Sequence, residues 1–224
     1  MATQPSRIII VDDHPLVRAG LRSLIDAEPD LTVCAEVGNF RDAIYVAQSQ
    51  APDLILVDIS LDDGNGIELI KRLNAHEPDL KMLVCSMHDE FLFAERAVTA
   101  GARGYVNKYQ AAEQVLDAIR QVLAGRIYLS ERMVERVASS FANGKHGYST
   151  SGIDSLSDRE LEVFGLIGQG LTTAKIAERV HLSVKTIETH REKIKKKLGI
   201  QSATELNRRA MLWVIDNPQS DITV

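Results

Sequence analysis

Asp12, Asp13, Asp58, Ser86 and Lys108 carry groups able to handle phosphate, and each follows a short strand-like run. Asp12 and Asp13 close Arg7-Ile8-Ile9-Ile10-Val11, and Asp58 closes Leu54-Ile55-Leu56-Val57. Ser86 closes Lys81-Met82-Leu83-Val84-Cys85, and Lys108 comes just after Gly104-Tyr105-Val106. An apolar run this short and uniform reads as a central strand of a parallel sheet, buried on both faces. Such a strand ends where the sheet meets water, so the polar residues stand on one rim. A lone Asp there often only caps a strand-to-helix turn. Four strands that bring carboxylates, a hydroxyl and an ammonium to the same rim point instead to a site. Three carboxylates gathered together resist ionising without a cation. Oxygen-only donors suit a hard ion, and partial, water-rich coordination suits Mg2+. Mg2+, a lysine and one accessible carboxylate are equipment for phosphoryl transfer. The metal and the ammonium spread charge over the phosphoryl oxygens while the carboxylate attacks in line.

The elements between these positions have helical period. His14-Pro15 opens a helix with an apolar stripe of Leu16, Val17, Leu21, Leu24 and Ile25. Leu31 to Val37 is a further strand, and Asn39 caps a helix with Phe40, Ala43, Ile44 and Ala47 on one side. Helices carrying Ile67, Ile70 and Leu73, then about Glu90 to Ala100, then Val115, Ile119 and Val122 complete the alternation. Five strand–helix pairs predict an α/β fold: a five-stranded doubly wound parallel sheet with helices on both faces. In such sheets the site lies beyond the carboxyl ends of the strands, at the topological switch point. After Gly125 the pattern changes. Ser130 caps a helix from Glu131 to about Phe141, and a polar, glycine-rich stretch from Ala142 to Gly152 reads as a flexible linker.

The remainder is helical throughout. Ser157 caps Asp158 to Gln169, where Gly165 and Gly168 weaken the helix by about 1 kcal/mol each. Thr172 or Thr173 starts a short helix through Val180, and Ser183 caps another that runs to Leu198 and ends at Gly199. A last helix spans Ala203 to about Ile215. Two helices across a tight turn, the second rich in Lys and Arg, form a helix-turn-helix signature. Ile187, Arg191, Ile194 and Leu198 mark its inward face, with Arg191 contributing its stem. Lys185, Glu188, Thr189 and Glu192 then face a DNA major groove, and Lys193, Lys195, Lys196 and Lys197 extend the basic end toward phosphates.

Charge divides the same way. The net charge of −5 is uneven, with −7 in residues 1–138, +2 in 139–224 and +6 within 171–209, so two domains with different partners are expected. Cys34 and Cys85 read as buried free thiols of a reducing compartment, and the six scattered histidines make no zinc spacing. Met1 to Ser6 has no signal-peptide core and no run spans a membrane, so the expected location is the cytoplasm.

Asp12-Asp13, Asp58, Ser86, Tyr105 and Lys108 resemble the signature set of a two-component receiver domain, at intervals of 28, 19 and 3 residues from Asp58 onward. The resemblance implies that Asp58 is the phosphoacceptor and that Asp13 and the Ser60 backbone carbonyl join it on Mg2+, with Asp12 assisting directly or through water. It makes Ser86 and Tyr105 the switch pair beside Lys108. Ser60 and His88, each two residues past a key position, would influence the lifetime of the phosphorylated state. Leu156 to Val163, Gly170-Leu171-Thr172, Ile176-Ala177, Ser183 to His190 and Lys197-Leu198-Gly199 resemble the LuxR-type helix-turn-helix. Together they imply a response regulator of the NarL/FixJ class, with a receiver at 1–126, a linker with a short helix at 127–153 and a DNA-binding domain at 154–224. The implied partners are a sensor histidine kinase, double-stranded promoter DNA and, once phosphorylated, a second copy of the chain. The chain departs from the family pattern at Asp62 and Tyr109, each where Pro is common, and at Lys175, where Glu is usual.

Two rival readings come from other classes. A Mg2+-dependent phosphatase using Asp58 as nucleophile generally needs a second acid two residues on, where this chain has Ser60. An adaptor that binds only proteins does not account for the lysines of the Ser183 helix.

Overall fold

A computed structural model describes residues 4–61, 63–88, 90–135 and 152–216. The chain forms two compact units, residues 1–135 and 136–224. The first is a parallel sheet of β1 (Ser6–Val11), β2 (Leu31–Val37), β3 (Leu54–Val57), β6 (Lys81–Ser86) and β7 (Tyr105–Asn107), in the order β2-β1-β3-β6-β7. A small antiparallel ribbon of β4 (Ser60–Leu61) and β5 (Gly64–Asn65) stands apart from it. The intervening helices are α1 (Pro15–Asp26), α2 (Phe40–Gln50), α3 (Gly66–His76), α4 (Glu90–Ala100) and α5 (Ala112–Leu123).

Strand alternation sorts the core. Ile8, Ile10, Leu54, Leu56, Leu83 and Cys85 pack with Ile25 of α1 and Val115, Ile119 and Val122 of α5. Ile9, Ile55, Val57, Met82 and Val84 point the other way and are equally buried. Each fully buried Ile, Leu or Val contributes about 1.5–3 kcal/mol, which is why the tetrad before Asp58 tolerates no polar residue. The sheet reverses direction of growth between β1 and β3, whose registers run Ile8–Leu54 to Val11–Val57. Asp12 and Asp58 therefore leave neighbouring strands side by side, and Asp58 N donates to Val11 O at 2.8 Å.

Two details differ from expectation. Cys34 is only half-buried, because β2 is an edge strand, whereas Cys85 is buried and its thiol is pushed up to about 12 by desolvation. The turn-rich stretch after Asp58 contains the ribbon, and Asp63 from it accepts from Phe40 N at the start of α2 at 2.6 Å. Ser130 caps as expected, accepting from Met133 N at 3.2 Å, but 136–141, the linker at 142–151 and Asp62 lie outside the described residues.

The second unit holds α6 (Asp158–Gly168), α7 (Thr173–Arg179), α8 (Val184–Leu198) and α9 (Ala203–Asp216), after a 3-10 turn at Ile153–Ser155. Ser157, Thr172 and Ser183 each cap the helix that follows, and Ser157 with Glu160 forms a full capping box. Gly170 at φ 81° and His181 at φ 52° form the turns around α7, and Gly199 at φ 66° ends α8. Phe164 and Trp213 stack α6 on α9 with ring centroids 5.4 Å apart. Gly168 is more than a weak helix former. A Cβ there would meet Ala210 O at 2.4 Å, so the close approach of α9 requires glycine.

The same test isolates Gly66. A Cβ would lie 2.0 Å from Asp58 O and 2.8 Å from Asp58 C, both backbone atoms unable to swing aside. Gly66→Ala should destabilise the chain by about 1–3 kcal/mol or more, as overpacking does. Gly20→Ala, in open space within α1, should instead stabilise by roughly 0.5–1 kcal/mol through helix propensity. Urea unfolding of the two variants should move in opposite directions.

Candidate functional site

At the carboxyl edge of β1 and β3 lies a buried charge cluster. Asp12 and Asp58 are 1% and 5% exposed. Lys108 Nζ lies 2.5 Å from Asp12 Oδ2 and 2.6 Å from Asp58 Oδ2, with its own side chain 6% exposed. Burial by itself would lower the Lys108 pKa, but Asp58 and then Asp12 outweigh it and hold the ammonium above the ordinary lysine value. Lys108 is set in place from its backbone, since its N donates to Ser86 O at 3.0 Å where β7 ends beside β6. Atoms of Asp12, Asp13, His14 and Asp58 all fall within 4.8 Å of one another. The other oxygen of Asp58, Oδ1, is buried and has no hydrogen-bond partner among the described residues. Three carboxylates and one ammonium leave a formal charge of −2, and an oxygen-rich donor set with an orphaned carboxylate oxygen fits a divalent cation.

The expected switch and lifetime positions meet on the loop after β6. Ser60 Oγ and His88 Nε2 lie 2.8 Å apart, and Ser86 Oγ accepts from His88 N at 3.3 Å. Tyr105, 1% exposed, points its hydroxyl inward and donates to His88 O at 2.9 Å. Asn107 Nδ2 donates to the same carbonyl at 3.3 Å. Tyr109 is exposed, donating from its hydroxyl to Met87 Sδ at 3.6 Å.

Sequence reasoning missed three residues here. In the sequence His14 reads only as a helix opener, yet its Nδ1 sits 2.5 Å from Asp13 Oδ1. Arg18, one helical turn on, donates from Nη1 to Asp12 O at 2.5 Å. Asn107 joins Tyr105 on the His88 carbonyl. For His14 the signal was an imidazole next to two acids. Bonds to backbone carbonyls leave none.

In the second unit, Ile187, Ile194 and Leu198 of α8 are buried, while Lys185, Glu188, Thr189, Glu192, Lys193 and Lys196 are all exposed. The Thr189 hydroxyl donates to Lys185 O at 3.0 Å. Arg191 is half-buried and donates to Asn207 Oδ1 at 3.1 Å, and desolvation lowers its pKa. Two lysines of the expected basic end are otherwise engaged. Lys195 pairs with Glu192 at 2.8 Å, and Lys197 reaches back to Glu160 of α6 at 2.5 Å. Arg159 Nη2 donates to Val180 O at 2.7 Å, closing the end of α7.

Residues 8–120 match the response regulator receiver domain, and residues 154–210 match the bacterial regulatory proteins of the luxR family. The chain is 32% identical over 211 residues to the nitrate/nitrite response regulator protein NarL of Escherichia coli, covering 94% of this chain and 95% of that one. It is 34% identical to the response regulator GacA of Pseudomonas aeruginosa, covering 89% and 92%. Among solved structures, RcsB from Salmonella enterica serovar Typhimurium, bound to promoter rprA with phosphomimetic BeF3-, is 25% identical with a TM-score of 0.60, covering 93% and 99%.

Glu160 gives a pH dependence to the second unit. Burial would raise its pKa, but the Lys197 ammonium and the Ser157 N–H outweigh that and hold the carboxyl below the ordinary glutamate value. A carboxyl depressed on folding stabilises above its unfolded pKa, and that contribution is lost as pH falls through the folded value. Trp213, the single tryptophan, reports this unit. The urea midpoint followed by Trp213 fluorescence should drop between pH 6 and pH 3.5 in the wild type, and drop less in Glu160→Gln.

Proposed function

Because the chain belongs to the two-component response regulators that couple a receiver domain to a LuxR-type helix-turn-helix domain, and is thus a phosphorylation-controlled, DNA-binding transcriptional regulator of a family that are not enzymes, we propose that Asp58 is its phosphoacceptor. The donor is a sensor histidine kinase. The observation that carries this reading is the buried Asp58 carboxylate, with one oxygen on Lys108 and the other unpartnered inside an acidic pocket. Asp12, Asp13, Asp58 and the Ser60 backbone carbonyl would hold Mg2+. When bound, Mg2+ supplies charge neutralisation for the attacking carboxylate and the incoming phosphoryl oxygens. Lys108 holds Asp58 Oδ2 in place and offers its ammonium to the phosphoryl group. Ser86 lies on the same edge, where its hydroxyl can donate to a phosphoryl oxygen while its oxygen accepts from His88 N. Tyr105 follows as the second member of the switch pair. Ser60 and His88, in contact with each other, flank the path of attacking water.

A phosphoryl group adds about −1.5 to −2 charges to this rim. Its output is a change in dimerisation and promoter binding by the second unit. The exposed Met211, Leu212 and Ile215 of α9 offer an apolar strip for a second copy to cover. Glu188 and Thr189 read base edges from the first half of α8, Lys185 and Glu192 face the major groove beside them, and Lys193 and Lys196 lie toward the phosphate backbone. The Thr189 methyl suits a thymine methyl, its hydroxyl being spent on Lys185 O. Glu192 holds Lys195, so the phosphate contacts fall chiefly to Lys193 and Lys196.

Incubation with a small phosphodonor should label the chain only with Mg2+ present. Asp58→Asn should abolish the label, and Asp13→Asn should nearly do so. Ser60→Ala and His88→Ala should still label but with altered decay rates. Full labelling of Asp58→Asn overturns the assignment.

Binding to a panel of single-base operator variants at several salt concentrations tests the DNA face. Glu188→Ala should relax preference at one base pair per half-site, by about 1–3 kcal/mol. Lys196→Ala should weaken all sequences alike and lower the salt slope by about one.

A further inference from the structure

The ribbon that follows Asp58 is too short to hold itself. It pairs Ser60 with Asn65 and Leu61 with Gly64, and even a longer isolated hairpin is marginal in water. Its base is packed: Ile59 and Leu61 are buried, and Gly66 N donates to Ile59 O at 2.7 Å. Its tip is held by a different element. Asp63 Oδ1 accepts from Phe40 N at 2.6 Å, and Asp63 Oδ2 accepts from Arg41 N at 3.3 Å. These are the first two N–H groups of α2, which have no partner within the helix. Asn39, the local cap, serves Asp42 N instead. Gly64 presses on Phe40, where a Cβ would come within 2.8 Å of Cδ2, and the Arg72 guanidinium of α3 stands over the same ring, 5.0 Å from its centroid. A cap supplied from 23 residues away ties two segments together, whereas Asn39 ties α2 only to itself.

The segment held in this way carries Ser60. Its Oγ lies 2.8 Å from His88 Nε2, a bridge between the loops after the paired strands β3 and β6, on the edge where Asp58 stands. We infer that Asp63 is a positioning residue for the chemistry at Asp58: by holding the tip of the ribbon on α2 it keeps Ser60 against His88, and so prolongs the life of a phosphoryl group on Asp58. The inference rests on the reading of Asp58 as phosphoacceptor and adds to it a residue that acts from the far end of the ribbon. Loss of the phosphoryl group is attack of water on phosphorus. A new P–O bond forms, the Asp58 carboxylate leaves with the electron pair of the broken bond, and both protons of the water pass to the released phosphate. Side chains fixed across the approach keep that water out.

The test uses the full chain, labelled from a small phosphodonor with Mg2+ and then freed of donor, with the decay of the label timed. Asp63→Ala should still label and should lose the label about fivefold faster, the factor that one lost cap carries. Asp63→Asn keeps an acceptor oxygen for Phe40 N and should decay as the wild type does. Deuterium exchange of the Gly66 amide, which closes the base of the ribbon, should quicken in Asp63→Ala and not in Asp63→Asn. In a Ser60→Ala background, Asp63→Ala should change the decay little further, because the two residues act in series. A lower urea midpoint in Asp63→Ala with unchanged decay would make Asp63 a structural cap alone and overturn the inference. An equal acceleration with and without Ser60 overturns it as well, and both results leave Asp58 as phosphoacceptor. Absence of label from the wild type overturns the phosphoacceptor reading and the role of Asp63 together.

Discussion

Two carboxylates reach the end of adjacent strands with almost no access to water, and the Lys108 ammonium lies between Asp12 and Asp58, 2.5 Å from one and 2.6 Å from the other. Removing the ammonium would leave uncompensated buried charge, a situation that typically costs 3–5 kcal/mol when one partner of a buried pair is lost. Much of the first unit serves this arrangement. The apolar tetrads of β1 and β3 bring the acids alongside each other, the β6–β7 pairing places Lys108 opposite, and Gly66 lets α3 start against the Asp58 carbonyl. A cluster in which Asp58 Oδ1 has no hydrogen-bond partner among the described residues is poised rather than relaxed.

From that cluster the connections lead to the loop after β6. Lys108 hangs on Ser86 O, Ser86 Oγ touches His88 N, and the His88 ring meets both Ser60 and Phe93 of α4, the latter at 5.1 Å between centroids. A change in the charge at Asp58 therefore acts on short, polar, largely buried contacts, where the local dielectric is low and electrostatic work is large. In the second unit the same economy of buried polar groups sets the frame for α8. Lys197 and Arg159 are spent on Glu160 and on the end of α7, which fixes the helix and leaves its opposite face exposed.

The position of Asp58 at its strand end was legible in the sequence because four consecutive apolar residues precede it, whereas the sequence suggested an accessible carboxylate and the residue is buried at 5% exposure beneath Lys108. The α8 faces were legible because period 3.6 separates Ile187, Ile194 and Leu198 from the exposed residues without ambiguity. Other features depend on distant partners that no local pattern encodes. Lys197 lies near an outward run of lysines, yet Glu160, 37 residues earlier, draws it in. Gly168 carries a propensity penalty visible in sequence, but its reason is the Ala210 carbonyl across the helix interface. Cys34 sits in an apolar run like Cys85, and only the strand order makes one an edge thiol and the other a core thiol. The ribbon at Ser60–Leu61 and Gly64–Asn65 is too short to have a period at all.

The His88 carbonyl accepts from both Tyr105 and Asn107. A buried acceptor abandoned by its only donor costs about 1–3 kcal/mol, which would weigh against any rotation of the tyrosine. With Asn107 in attendance that penalty falls away, since the carbonyl stays bonded whichever way the ring turns. The loop thus keeps its anchorage while the aromatic side chain is let go, so rearrangement of Tyr105 and integrity of the backbone beneath it are separable.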